Sequence, residues 1–143
     1  MTCTEEAEIL FRKIANNFKL EVLKQEDDSI ELSMILPIQP GLKSEIWVCL
    51  QNIDELWFVV ENITCSMFPF KEVKDDFEEV LSGLLSGKYR LVIWTNEKCD
   101  LPFRGKIQCP TDDGWKDIHS YESLLSRPLF FKGPVRKKEL HIA

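Results

Sequence analysis

The chain has 143 residues, of which 44% are apolar and 29% charged, a balance that excludes a disordered or fibrous polypeptide and suits one ordinary globular domain. Its longest apolar runs are only a few residues, too short for a membrane span. The net charge is −6, and five cysteines at 3, 49, 65, 99 and 109 form an odd set without Cys-x-x-Cys, which favours free thiols over a disulfide framework.

The start, "MTCTEEAEILFRK", has acids where a signal peptide would carry basic residues, so a cytoplasmic protein is expected. In the same stretch Ala7, Leu10, Phe11, Ile14 and Phe18 recur at three and four residues, predicting a helix with one apolar stripe. Thr2 and Glu5 fit a capping box at its start. Alternating segments 20–25 and 29–36 then predict two strands around the turn Glu26-Asp27-Asp28. "PIQPG", 37–41, is a loop, because its prolines cannot donate to a ladder.

"SEIWVCLQNIDELWFVVEN", 44–62, predicts a hairpin. One side-chain row is cleanly apolar: Ile46, Val48 and Leu50, then Leu56, Phe58 and Val60. Keeping that row on one face requires a three-residue loop, Asn52-Ile53-Asp54, which sets Trp47 opposite Val59 and Cys49 opposite Trp57. The stretch "NITCSMFPF" is read as a connection into a second helix, "KEVKDDFEEVLSGLLSG", striped by Val73, Phe77, Val80, Leu81 and Leu84. Gly87 is its stop signal, and Gly83 inside it suggests close packing. "KYRLVIW" and "PFRGKIQC" follow as strands, and "TDDGWKDI" as a turn into a short one. From about residue 120 the periodicity fades, and an irregular segment docked on the body is expected. The predicted fold is α+β: residues 1–143 as one domain, with a mostly antiparallel sheet of about six strands and both helices on one face, in the order α-β-β-β-β-α-β-β(-β).

With both helices on the Ile46/Val48/Phe58 face, the opposite face holds Trp47, Trp57 and Val59, and Trp94 is a candidate to join it. Three coverings are open: the C-terminal segment with Leu129, Phe130 and Phe131, another protein or a second copy, or a small ligand in a pocket at Trp47, Trp57 and Trp94. The first carries most weight, because large apolar patches are seldom left open on monomers.

Catalytic and metal signatures are sparse. There are two histidines, His119 and His141, and nothing in the sequence marks Cys109 and His119 as a nucleophile–base pair. Cys99, Cys109 and His119 lack the spacing of a zinc knuckle, and no phosphate loop, Gly-x-Ser-x-Gly or His-Glu-x-x-His occurs. The acids Asp75, Asp76, Glu78 and Glu79 read first as the solvated face of a helix. No cofactor, metal or catalytic residue is therefore assigned. Residues 132–143 carry four basic side chains and one acid, a charge of +3, which leaves −9 on the preceding 131. An acidic body lacks the footprint of a nucleic-acid binder and suits a basic protein partner, although solubility alone is a sufficient reason for it.

The stretch "FPFKEVKDDFEEVLSGLLSGKYRLVIW", with "PFRGKIQC", "DGW" and a late "LFFKG", resembles small bacterial immunity proteins of polymorphic toxin systems, over roughly the second half of the chain. The resemblance implies a non-catalytic acidic protein that blocks a toxin by binding it. The element order, length and acidity also resemble type III secretion chaperones, but four strands precede the second helix here and no C-terminal helix is evident. The expected function is a non-enzymatic protein binder, immunity-like, that engages a basic toxin. Its candidate surface is Trp47, Trp57, Val59, Trp94, Asp75, Asp76 and Glu79. Chaperone-like binding, a homodimer, a small-ligand domain or an enzyme are the alternatives, and neither nucleic acid nor membrane is an expected partner.

Overall fold

The computed structural model describes residues 1–96, 99–122 and 134–143, with the backbone alone for Cys99 and Asp100. The fold is α+β, with two helices and two antiparallel sheets. Helix α1 spans Cys3–Asn17 and begins in the capping box expected there: Glu5 N–H donates to Thr2 Oγ1 at 3.2 Å, and Thr2 N–H donates to Glu5 Oε2 at 2.9 Å. Five strands follow as a meander: β1 (Leu23–Gln25), β2 (Leu32–Leu36), β3 (Ile46–Gln51), β4 (Glu55–Val60) and β5 (Ile63–Met67). Helix α2 (Phe70–Leu85) leads to β6 (Arg90–Asn96), β7 (Cys99–Thr111), β8 (Gly114–Glu122) and β9 (Val135–Leu140), paired in the order β8-β7-β6-β9.

The β3–β4 hairpin has the register that its apolar rows demand. Gln51 pairs with Glu55, Cys49 with Trp57 and Trp47 with Val59 around Asn52-Ile53-Asp54. Asn52 and Ile53 take left-handed backbone, φ 54° and 77°, which strains a β-branched residue by about 1–2 kcal/mol. The even row of the hairpin is wholly buried beneath both helices. Phe77 of α2 links them, with its ring centroid 5.9 Å from Phe11 of α1 and 5.7 Å from Phe58 of β4.

The strands do not form one sheet of about six. The segment 63–67, expected as a connection, pairs with β4 as β5, and the strands after α2 form a separate four-stranded sheet. That second sheet meets the first at β5. Ile63 lies so close to Gly105 that a Cβ there would clash, and His119 Nε2 donates to the Thr64 carbonyl at 3.2 Å. Leu91, Ile93 and Ile107 join the cluster of buried residues that the helices and first sheet share. Gly83 does allow a close approach, but its neighbour is the Tyr89 ring just before β6. Gly87, φ 78°, ends the helical turn as expected.

The C-terminal stretch is more regular than its composition suggests. β8 continues to Glu122, and the basic run 135–140 is edge strand β9, paired with β6. Beyond it Ile142 is buried, its carbonyl accepting from Lys43 N–H at 2.7 Å, while His141 Nδ1 donates to the Gly87 carbonyl at 3.0 Å. Ending the chain at Leu140 is expected to lower the free energy of unfolding by about 2–4 kcal/mol, from one buried isoleucine and its hydrogen bonds. Urea titration measures this, and an unchanged midpoint would contradict the anchoring.

Candidate functional site

The outer face of the five-stranded sheet lies opposite both helices. Alternation places Leu23 of β1, Ser33 and Ile35 of β2, Trp47 and Cys49 of β3, Trp57 and Val59 of β4, and Thr64 and Ser66 of β5 on it. Trp47, Trp57, Val59 and Ile35 are half-buried there, and Leu23 is exposed. Trp47 Nε1 donates to Ser33 Oγ on the neighbouring strand. Trp57 Nε1 is shielded from solvent and has no acceptor among the described residues. Leu129, Phe130 and Phe131, expected as a cover for this face, lie outside the described residues.

Carboxylates stand at both ends of this apolar centre. At the hairpin-loop end are Glu31, Glu55 and Asp27, whose fields add to burial in pushing the Cys49 thiol up to about 12. At the other end Glu45 and Glu61 line a hollow of about 290 Å³ together with Ser44, Trp47, Val59 and Asn62. Ser44 donates to Glu61 Oε1 at 2.6 Å and fixes that carboxylate. The arrangement is an apolar centre with an acidic rim, the composition of a surface that receives an apolar and basic partner.

The other candidate residues lie elsewhere. Trp94 is on the outer face of the second sheet, between Arg104 and Lys137, with the Arg104 guanidinium 4.8 Å and the Lys137 ammonium 5.8 Å from its ring centroid. It is a cation-covered tryptophan, the electrostatic opposite of Trp47 and Trp57. Asp75, Asp76 and Glu79 are on α2, across the first sheet from the tryptophans. Asp75 lines a hollow with Lys13, Lys74 and Glu78, whereas Asp76 and Glu79 line a separate cleft with Tyr89, Cys109 and Lys116. The seven residues thus belong to four surfaces.

The charge is divided in the same way. Up to Gly87 the chain has seven Lys and Arg against seventeen Asp and Glu, a net −10; from Lys88 on it has eleven against seven, a net +4. The helices and first sheet are strongly acidic, and the second sheet belongs to the basic part. This division runs through the whole sequence and is hidden when only the last twelve residues are set apart.

Cys109 and His119 both lie in the β7–β8 hairpin, but Cys109 pairs with Lys116 and His119 with Ile107, and the His119 Nε2 proton is committed to Thr64. Among the described residues no three metal-ligating side chains converge, and no helix is long and apolar enough to cross a membrane. No known protein family, curated protein or solved structure matches the chain.

The buried thiols give a pH-dependent stability. Burial raises Cys65, and burial with the neighbouring carboxylates raises Cys49, each from an ordinary value of 9.0 to about 12. The folded chain keeps thiol protons that the unfolded chain loses, so this contribution is complete below pH 9 and declines as pH rises toward 12. The decline is about 1.4 kcal/mol per pH unit for each thiol. Urea midpoints between pH 8 and 11 should fall with about half that combined slope in Cys65→Ala; equal slopes in the two proteins would contradict the assignment.

Proposed function

We propose that this chain is a non-enzymatic binding protein whose partner is a basic protein, received on the Trp47/Trp57 face of the five-stranded sheet. The observation that carries the reading is the position of two half-buried tryptophans and Val59 between two groups of carboxylates. Aromatic anchors supply affinity on burial, and the rim selects charge and speeds encounter. A symmetric homodimer through this face is disfavoured, because a two-fold axis would tend to set the acidic rim against its own copy. The commitment of His119 to Thr64 favours binding over thiol–histidine chemistry at Cys109. The finer reading is toxin neutralisation: an immunity-like protein that covers the basic substrate-binding surface of a toxin. The acidity of the first 87 residues and the resemblance of the second half support it.

A photoreactive residue at position 59 tests this in cells, with one at Arg12 on the exposed side of α1 as control. Position 59 is expected to capture one cationic protein, with the adduct suppressed by about 0.5 M salt. Capture of an acidic protein, salt-insensitive capture, or the same adduct from position 12 would contradict the reading.

A further inference from the structure

A cleft of about 610 Å³ lies between α2, the end of β5 and the β7–β8 hairpin. Its apolar walls are Met67, Val73, Val80 and Ile118, with Phe68, 69% exposed, at the rim. Asp76 and Glu79, three residues apart, present their carboxylates from one face of α2. Across from them stands Lys116, the one cation that lines the cleft among the described residues. Two other acids on the helices have cationic partners, Glu8 with Arg12 and Lys24, and Glu78 with Lys13. Among the described residues, Asp76 has no such ion pair, and Glu79 receives only a 3.5 Å contact from Tyr89 Oη.

The backbone adds a second set of partners. β5 ends the first sheet, and its Thr64 carbonyl points away from β4 to receive His119. Strand alternation turns the N–H and C=O of Ser66, two residues on, the same way, and Ser66 lines the cleft. An extended segment laid along this short edge would find a backbone donor and acceptor, apolar walls for its flanking side chains, and two carboxylates for a cation.

We infer that this cleft is a second docking site, for an extended protein segment that carries an arginine between apolar residues. The guanidinium sits between Asp76 and Glu79, and the apolar neighbours rest on Met67, Val80 and Phe68. Arginine fits better than lysine because its planar fork can engage two carboxylates at once. The inference does not rest on the Trp47/Trp57 face: Asp76 and Glu79 lie across the first sheet from the tryptophans, although Ser66, the cross-strand neighbour of Trp57, borders both.

An NMR titration of the full chain tests it with acetyl-Leu-Arg-Leu-amide, the citrulline analogue and arginine amide. The peptide is expected to shift the amide resonances of Ser66, Asp76, Glu79 and Cys109 at millimolar concentration or below. The citrulline analogue should bind about tenfold more weakly. The double variant Asp76→Asn, Glu79→Gln should bind both peptides equally, and Trp47→Ala with Trp57→Ala should leave arginine-peptide binding unchanged. Equal binding of arginine and citrulline peptides to the wild type, arginine amide binding as tightly as the peptide, or absence of shifts in the cleft would overturn the inference. None of these results bears on the tryptophan face.

Discussion

Phe77→Ala is expected to lower the free energy of unfolding by about 3–5 kcal/mol, a large share of the roughly 5–15 kcal/mol that holds a domain folded. The ring is fully buried and touches both Phe11 and Phe58, so it joins α1, α2 and the first sheet at one point. Truncation removes the transfer free energy of the ring and leaves a cavity that three separate elements would have to close. Phe77→Leu refills part of that space and should lose about 1–2 kcal/mol. Urea unfolding followed by circular dichroism measures both. A loss below about 1 kcal/mol in Phe77→Ala would mean that the helices do not share this face.

The shared face was legible because its signals are local and periodic. The stripes of α1 and α2, the capping box at Thr2 and the even row of β3 and β4 each follow from spacing within one element. β5 was not legible, because the turn that creates it, Glu61-Asn62, has φ 51° and 63° at its two residues. Glycine or asparagine usually marks such a turn, and a glutamate in its first position hides it. β9 was missed for a different reason. Val135, Arg136, Lys137, Lys138 and Glu139 are all exposed, so no alternating apolar row announces a strand; it is held by backbone pairing to β6. The division into two sheets has no local signal at all, since partner choice depends on residues far apart in sequence.

The candidate site follows the same rule. The neighbours of Trp47 and Trp57 come from the register of one hairpin, and the apolar parity fixed that register. Trp94 shares their residue type but not their sheet, and only the pairing of β6 with β7 and β9 reveals the cations around it. Asp76 and Glu79 read as a solvated helix face until the β7–β8 hairpin places Cys109 and Lys116 opposite them.

Replacing Trp47 and Trp57 together by alanine is expected to weaken partner binding by about 4 kcal/mol, roughly a thousandfold, because two central aromatic anchors of about 2 kcal/mol each are lost. Cys49 lies between Ser33 and Trp57 and is shielded from solvent, so the loss should come from the indoles rather than from the strand beneath. Trp94→Ala, on the other sheet and among cations, should change affinity less than about threefold. Isothermal titration of the cationic protein captured at position 59, against wild type, the Trp47/Trp57 double variant and Trp94→Ala, is the most direct test. A thousandfold loss in the double variant with Trp94→Ala near wild type is the result expected. An equal loss in Trp94→Ala, or a double variant within about threefold of wild type, would contradict binding through the acidic-rimmed face.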